Sequence, residues 1–165
     1  MSDPMGDRAG GTTYNLLFVC TGNTCRSPMA EAIARAEFGR RGWQHVDVRS
    51  AGTSAVPGTA ASGEAVTVAR ERGIDLSLHA AQPLSTVLLD WADLVLAMGP
   101  SHMHAVIDMG AAEKAAFVTD FIEDAPGRAI ADPFGGDQDS YRETYVQLEQ
   151  AVAALLDRLE PILAP

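Results

Sequence analysis

Residues Leu16-Leu17-Phe18-Val19-Cys20-Thr21-Gly22-Asn23-Thr24-Cys25-Arg26-Ser27-Pro28-Met29 constrain the fold more than any other stretch of this chain. Four consecutive apolar residues read as a buried strand, predicted over about residues 15 to 19. A short polar loop with Gly22 and Asn23 follows, and Pro28 stands where it can open a helix in its first turn. Strand, tight loop and helix N-terminus converge the loop amides and the first free helix N–H groups on one point. Such a point is an anion site.

A cysteine sits at that point, with an arginine six residues on. A phosphate-binding loop alone would not need a thiol. A helix N-terminus and a guanidinium favour thiolate over thiol, and the thiolate is the nucleophile. Five intervening residues let the chain curl so that Arg26 points back over the cavity that Cys20 faces. There its planar fork can hold two phosphoryl oxygens. Ser27 has a hydroxyl to offer the sulfur, and Asn23 tolerates a left-handed backbone and can pin the loop with its amide. The bland alternative is a buried structural cysteine beside a surface arginine. The apolar strand before the pair and Ser27-Pro28 after it favour the anion site.

Thiol attack on a phosphoryl group needs a proton for the departing atom, which directs attention to a distant carboxylate in a rigid setting. Asp132 precedes Pro133, which stiffens its exit, and Phe134 can wall a cleft. Taken alone, Asp-Pro is also an ordinary turn pair. Asp137 and Asp139 read as solvated loop or N-cap groups, and Asp124 as a surface group.

Cys20 through Pro28 resembles the signature of the low-molecular-weight protein-tyrosine phosphatases. The resemblance continues to Asp132-Pro133-Phe134 and so covers about residues 14 to 160. It implies a two-step reaction with Cys20 as nucleophile, Arg26 as oxyanion clamp and Asp132 as general acid, then base. Thr21, Gly22, Asn23, Thr24, Cys25 and Ser27 form the phosphate loop, and Phe134 lines the substrate cleft. No metal or other cofactor is implied, because Arg26 and the loop amides supply the positive field. The resemblance further implies a reversible Cys20–Cys25 disulfide that shields the nucleophile from irreversible oxidation. His79 resembles a family histidine that supports the loop through the serine, here Ser27.

Two departures bear on the substrate. Many tyrosine-specific members have an aliphatic residue at the Thr24 position and a pair of aromatics after Asp-Pro. Here a threonine stands in the loop, and Phe134 is followed by Gly135-Gly136. Both resemble the bacterial protein-arginine phosphatases of the family, which act on phosphoarginine in proteins. A hydroxyl serves a polar phosphoguanidinium that a methyl group would leave unpaired. Phosphotyrosine is the alternative substrate. An arsenate reductase would use the same loop but needs further cysteines to relay electrons, and only Cys20 and Cys25 are present. A silent phosphoprotein-binding module would be expected to lack nucleophile, arginine or acid.

The rest of the chain predicts an α/β fold: an open, mostly parallel four-stranded sheet with helices on both faces and the phosphate loop after strand one. Residues 1 to 13 read as a disordered leader and 14 to 165 as one phosphatase domain. After the first strand come a helix (28 to 40, with Met29, Ile33, Ala36 and Phe38 inward), a strand from Val46 toward Ser50-Ala51-Gly52, and a helix (61 to 72). Pro83 or Ser85 begins a short helix; then come a strand (93 to 98), a helix (101 to 109) and a strand (115 to 119). A long loop spans 120 to 137. The last helix, 138 to 159, carries Tyr141, Tyr145, Leu148, Val152, Leu155 and Leu159 as one apolar stripe. Trp43 and Trp91 read as packing anchors, and His102 and His104 as surface residues that face different sides.

A formal charge of −10 leaves no basic patch for nucleic acid or anionic membrane, so any phosphate site is a local positive spot in a negative field. Two cysteines five apart are not a secretory disulfide framework. With no signal peptide or long apolar run, a cytoplasmic monomer acting on phosphorylated proteins is expected.

Overall fold

The computed structural model describes residues 13–124 and 126–163, so the expected leader lies outside the described residues except for Thr13. Strand β1 (Tyr14–Cys20) is followed by α1 (Arg26–Arg41), β2 (Val46–Gly52), α2 (Gly63–Glu71), α3 (Thr86–Trp91), β3 (Leu94–Ala97), α4 (Pro100–Asp108), β4 (Ala115–Phe117) and α5 (Gln138–Leu163). The strands form one sheet in the order β2-β1-β3-β4, and every pairing is parallel. This is the expected architecture, wholly rather than mostly parallel.

Alternation along β1 supplies both layers. Leu16, Phe18 and Cys20 enter a core built with α1, α2 and α5, whereas Leu17 and Val19 enter a second one with α3 and α4. A strand buried on both faces must be apolar without interruption, which is why residues 16 to 19 show no alternation in the sequence. The α5 stripe is buried along its whole length. Each such side chain contributes about 1.5–3 kcal/mol on leaving water.

Several boundaries differ from expectation. Helix α1 begins at Arg26 with Cys25 as its N-cap, so Pro28 occupies the third position of the first turn, where no intrahelical N–H is needed. It ends at Gly42, whose φ of 71° suits a left-handed C-cap. Ala34 rather than Ala36 is fully buried on its inner face. Helix α2 is shorter than expected because the Ser62 hydroxyl caps it, accepting from Ala65 N at 3.3 Å. Strand β4 stops at Phe117, where the Asp120 carboxylate takes the Phe117 N–H and starts a turn. Helix α5 runs on through Pro161 in its last turn. Trp43 packs on Phe38 as expected, and Trp91 carries the Arg49 guanidinium on its face at 4.4 Å.

The chain passes from β1 to β2 on one side and then crosses to β3 on the other. Cys20 therefore ends at the point where the strand order switches direction, beyond the carboxyl ends of the strands. No helix among the described residues is long and apolar enough to cross a membrane.

Candidate active site

The loop after β1 is held from three directions. Asn23 is fully buried with φ 57°, the one positive φ at a non-glycine position among the described residues. Its side-chain amide donates to Ser27 Oγ at 2.8 Å and Ser50 Oγ at 2.9 Å, and its Oδ1 accepts from Gln82 N at 2.9 Å. Ser50 in turn donates to Glu31 Oε1 at 2.6 Å. With an Asn23 N–H already pointing at Ser27 Oγ, the serine keeps its own proton free. Cys20 Sγ lies 2.9 Å away, against 3.5 Å for the Ala51 carbonyl, so the hydroxyl is placed to donate to the sulfur.

Small residues at the end of β2 allow this approach, as the Ser50-Ala51-Gly52 run suggests. A Cβ at Gly52 would fall 2.4 Å from the Thr21 carbonyl oxygen and 2.9 Å from Asn23 N. Two backbone bonds, Thr53 N to Cys20 O and Ser54 N to Thr21 O, stitch the loop to the segment after β2.

The other wall comes from β3. Met98 N donates to Val19 O at 3.1 Å and Ile130 N to Met98 O at 2.9 Å, which brings the segment carrying Asp132 to the same edge. Arg26, buried at the start of α1, donates from Nη1 to the Ile130 carbonyl at 3.0 Å. Its Nη2 lies 3.5 Å from Asp132 Oδ2. The other Asp132 oxygen accepts from Phe134 N at 3.1 Å, which fixes the carboxylate over the turn. Cys20, Thr21, Gly22, Thr24, Cys25, Arg26, Asp132 and Phe134 line a cavity of about 200 Å³. A roomier hollow of about 430 Å³ lies between α1 and residues 73–79, but neither cysteine reaches it. The chemistry is in the smaller cavity. A tetrahedral oxyanion there would meet a sulfur, a guanidinium, a helix N-terminus and a carboxylate at once.

The structure routes one expected support differently. His79 does reach the loop, but through the Asn23 carbonyl, 2.7 Å from its Nε2, and not through Ser27, whose oxygen is already engaged by Cys20 and Asn23. Cys25 is free, as is Cys20. Its Sγ packs 3.3 Å from the Tyr141 hydroxyl and 3.5 Å from Ser62 Oγ. Burial and the Cys25 contact push the Tyr141 hydroxyl up to about 12.

His102 is a correction. It was expected on the surface and is 2% exposed, with Nε2 at 2.8 Å from Thr21 Oγ1. The sequence did hold a signal: the residue sits in the first turn of the helix that follows β3, on the same edge of the sheet as the loop. Burial, then the nearby Arg26 charge, lowers its pKa to about 4, with Asp132 opposing. His104 is exposed beside Asp108, as expected. Asp137 caps α5, accepting from Ser140 N at 2.9 Å; Asp139 pairs with Arg142; Asp124 is exposed.

The sequence pattern described as "Low molecular weight phosphotyrosine protein phosphatase" matches residues 15–162. A "Protein-arginine-phosphatase" of Geobacillus stearothermophilus is 38% identical over 149 residues, 89% of this chain and 97% of the relative. A "Low molecular weight protein-tyrosine-phosphatase" of Streptomyces coelicolor is 34% identical over 152 residues, 87% and 92% of the two chains. Among solved structures, a YwlE arginine phosphatase mutant with a phosphorylated active site serine superposes with a TM-score of 0.84 at 38% identity, covering 90% of this chain and 97% of that one. With a motif, a fold and relatives that agree over nearly its whole length, this chain belongs to the low molecular weight phosphotyrosine protein phosphatase family.

Proposed function

We propose that this protein is a phosphatase of phosphoarginine in proteins, working through a cysteinyl-phosphate intermediate. The observation that carries the substrate choice is the cavity lining. Thr24 brings a hydroxyl, and Phe134 is its single aromatic, 74% exposed and without a second ring to close a slot. A phenyl ring gains most from a two-sided apolar slot, whereas a guanidinium needs polar partners as it enters. The relatives named as protein-arginine phosphatases at 38% identity support the same choice. Phe134 and the tyrosine-phosphatase relatives near 33% identity favour phosphotyrosine as the second reading.

In the first step the Cys20 sulfur attacks phosphorus in line with the leaving nitrogen, while Arg26 and the loop amides hold the equatorial oxygens. The P–N bond breaks as the S–P bond forms, and Asp132 gives its proton to the leaving guanidine. Ser27 steadies the sulfur through the 2.9 Å contact. In the second step Asp132 takes a proton from water, which attacks phosphorus and returns Cys20 with release of phosphate. Asn23 and His79 keep the loop in shape. Cys25 is the candidate partner for a protective disulfide with Cys20. The same reading takes residues 14–165 as one phosphatase domain acting as a cytoplasmic monomer.

The test is kcat/KM on matched phosphoarginine and phosphotyrosine peptides, for wild type and Thr24→Ile. Preference of the wild type for phosphoarginine, with a swing toward phosphotyrosine in the variant, is the expected result. A wild type that already favours phosphotyrosine refutes the arginine reading and leaves a tyrosine phosphatase.

A further inference from the structure

Because β3 lies beside β1 in parallel register, with Val19 opposite Ala97, the first turn of α4 lands next to the loop that leaves Cys20. His102 projects from that turn and is almost completely buried, yet its one hydrogen-bond partner among the described residues is Thr21 Oγ1. Its Nδ1 is buried with no partner among those residues. Thr21 itself is exposed and lines the cavity, next to Cys20 in the chain. A neutral imidazole carries one N–H and one lone pair. A buried N–H without an acceptor is rarer than a buried lone pair without a donor, so the proton belongs on Nε2.

We propose that His102 is a positioning residue for phosphoryl binding: as a neutral donor to Thr21 Oγ1 it leaves the threonine's own hydroxyl proton free for a phosphoryl oxygen in the cavity. The inference rests on the phosphatase reading above and adds to it a hydroxyl donor at the cavity lining. A protonated imidazole would do the job badly. Its second N–H would lack an acceptor, and its charge would face Arg26. The low pKa of His102 agrees with a ring that stays neutral at working pH. A leucine or phenylalanine would fill the space as well but would leave Thr21 Oγ1 free to rotate, with its proton uncommitted.

The experiment is a double-mutant cycle on Thr21→Val and His102→Ala, with His102→Gln as the conservative variant. Two quantities are read: kcat/KM on the better phosphopeptide, and Ki for inorganic phosphate measured by competition or direct titration. A hydrogen bond to a charged oxygen predicts that each single variant loses about ten- to a hundredfold in kcat/KM and weakens phosphate binding in parallel. The double variant should be no worse than the poorer single, and His102→Gln should stay within about threefold of wild type. Losses that multiply in the double variant, an unchanged Ki in His102→Ala, or a Gln variant as poor as Ala each overturn the proposal. If His102→Ala fails to fold, Thr21→Ser and His102→Gln must keep phosphate affinity while Thr21→Val must lose it. A wild type that binds phosphate but turns over neither phosphopeptide refutes the phosphatase reading instead, and the cycle on phosphate affinity still judges His102.

Discussion

Replacing Gly52 by alanine adds a single methyl group, and the geometry says where the force goes. The new Cβ would sit 2.4 Å from the Thr21 carbonyl oxygen, where real contacts stay beyond 3.0 Å, so something must yield by about 0.6 Å or more. Sideways relief is blocked, because Asn23 N stands at 2.9 Å and Ala55 Cβ at 3.0 Å. The residue's own backbone is ordinary strand, so alanine brings no conformational penalty there. The displaced group is the Thr21–Gly22 peptide, one residue beyond Cys20 and part of the loop that lines the cavity. A misplacement near 1 Å costs an enzyme about a hundredfold, so a loss of roughly ten- to a hundredfold in kcat/KM is expected, or about 1.4–2.7 kcal/mol in the transition state. Overpacking should cost about 1–3 kcal/mol of stability, a fall in Tm of roughly 2–12 °C for a chain of this size. The assay is steady-state kinetics well below the new Tm, with phosphate inhibition alongside. Activity within twofold of wild type would refute the claim that this approach sets the loop. An inactive variant that no longer folds would refute the claim that the damage is local.

Cys20→Ser should abolish turnover while circular dichroism and phosphate binding stay near wild type; substantial residual turnover would rule out the covalent route. Asp132→Ala should hurt poor leaving groups far more than an activated aryl phosphate, and equal losses on both would mark the residue as structural. The depressed pKa of His102 lets the unfolded chain, titrating near 6.5, bind a proton that the folded chain refuses until about pH 4. Stability from this group is therefore intact above pH 6.5 and falls as pH drops toward 4, by about 3 kcal/mol. Denaturant unfolding at pH 7, 5.5 and 4.5 should show a steeper loss for wild type than for His102→Gln, and parallel curves would contradict the assignment. Gly39→Ala, in α1 with no atom within 4 Å of the added methyl, should gain about 0.5–1 kcal/mol without touching kinetics; a loss in either would show that the exposed face of α1 is in use.

What the chain reveals unaided is uneven, and the reasons are physical. Cys20, Arg26 and the loop between them are local: a strand, a left-handed Asn23 and a helix start lie within a dozen residues, so their grouping can be read from order alone. The α5 stripe is legible because its period of three and four matches a helix with one buried face. The destination of a polar atom inside that stripe is not. Tyr141 was identifiable as core, but that its hydroxyl meets Cys25 depends on how α5 lies against α1 and α2. His102 is legible only in part: its place in the first turn after β3 puts it at the loop's edge, but a short, weakly patterned helix does not show which of its faces is buried. His79 reaches the expected loop but meets it at the Asn23 carbonyl rather than at Ser27. Ser27 Oγ is already held by Cys20 and Asn23 from within the loop, and which atom is left for an imidazole from residue 79 depends on how that segment folds back.

Asn23 draws its partners from residues 27, 50, 79 and 82, and β1 needs Leu94 to Ala97 on its second edge. The loop that looks like a nine-residue motif is thus a product of long-range closure, the kind of contact that forms late and slows the search for the native state. An emerging chain that has exposed only its first fifty residues holds every atom of the motif but lacks His79, Gln82 and β3, which complete its geometry. During refolding, burst amplitude in far-ultraviolet ellipticity should precede the return of catalysis, and turnover becomes a clock for the docking of β3 onto β1.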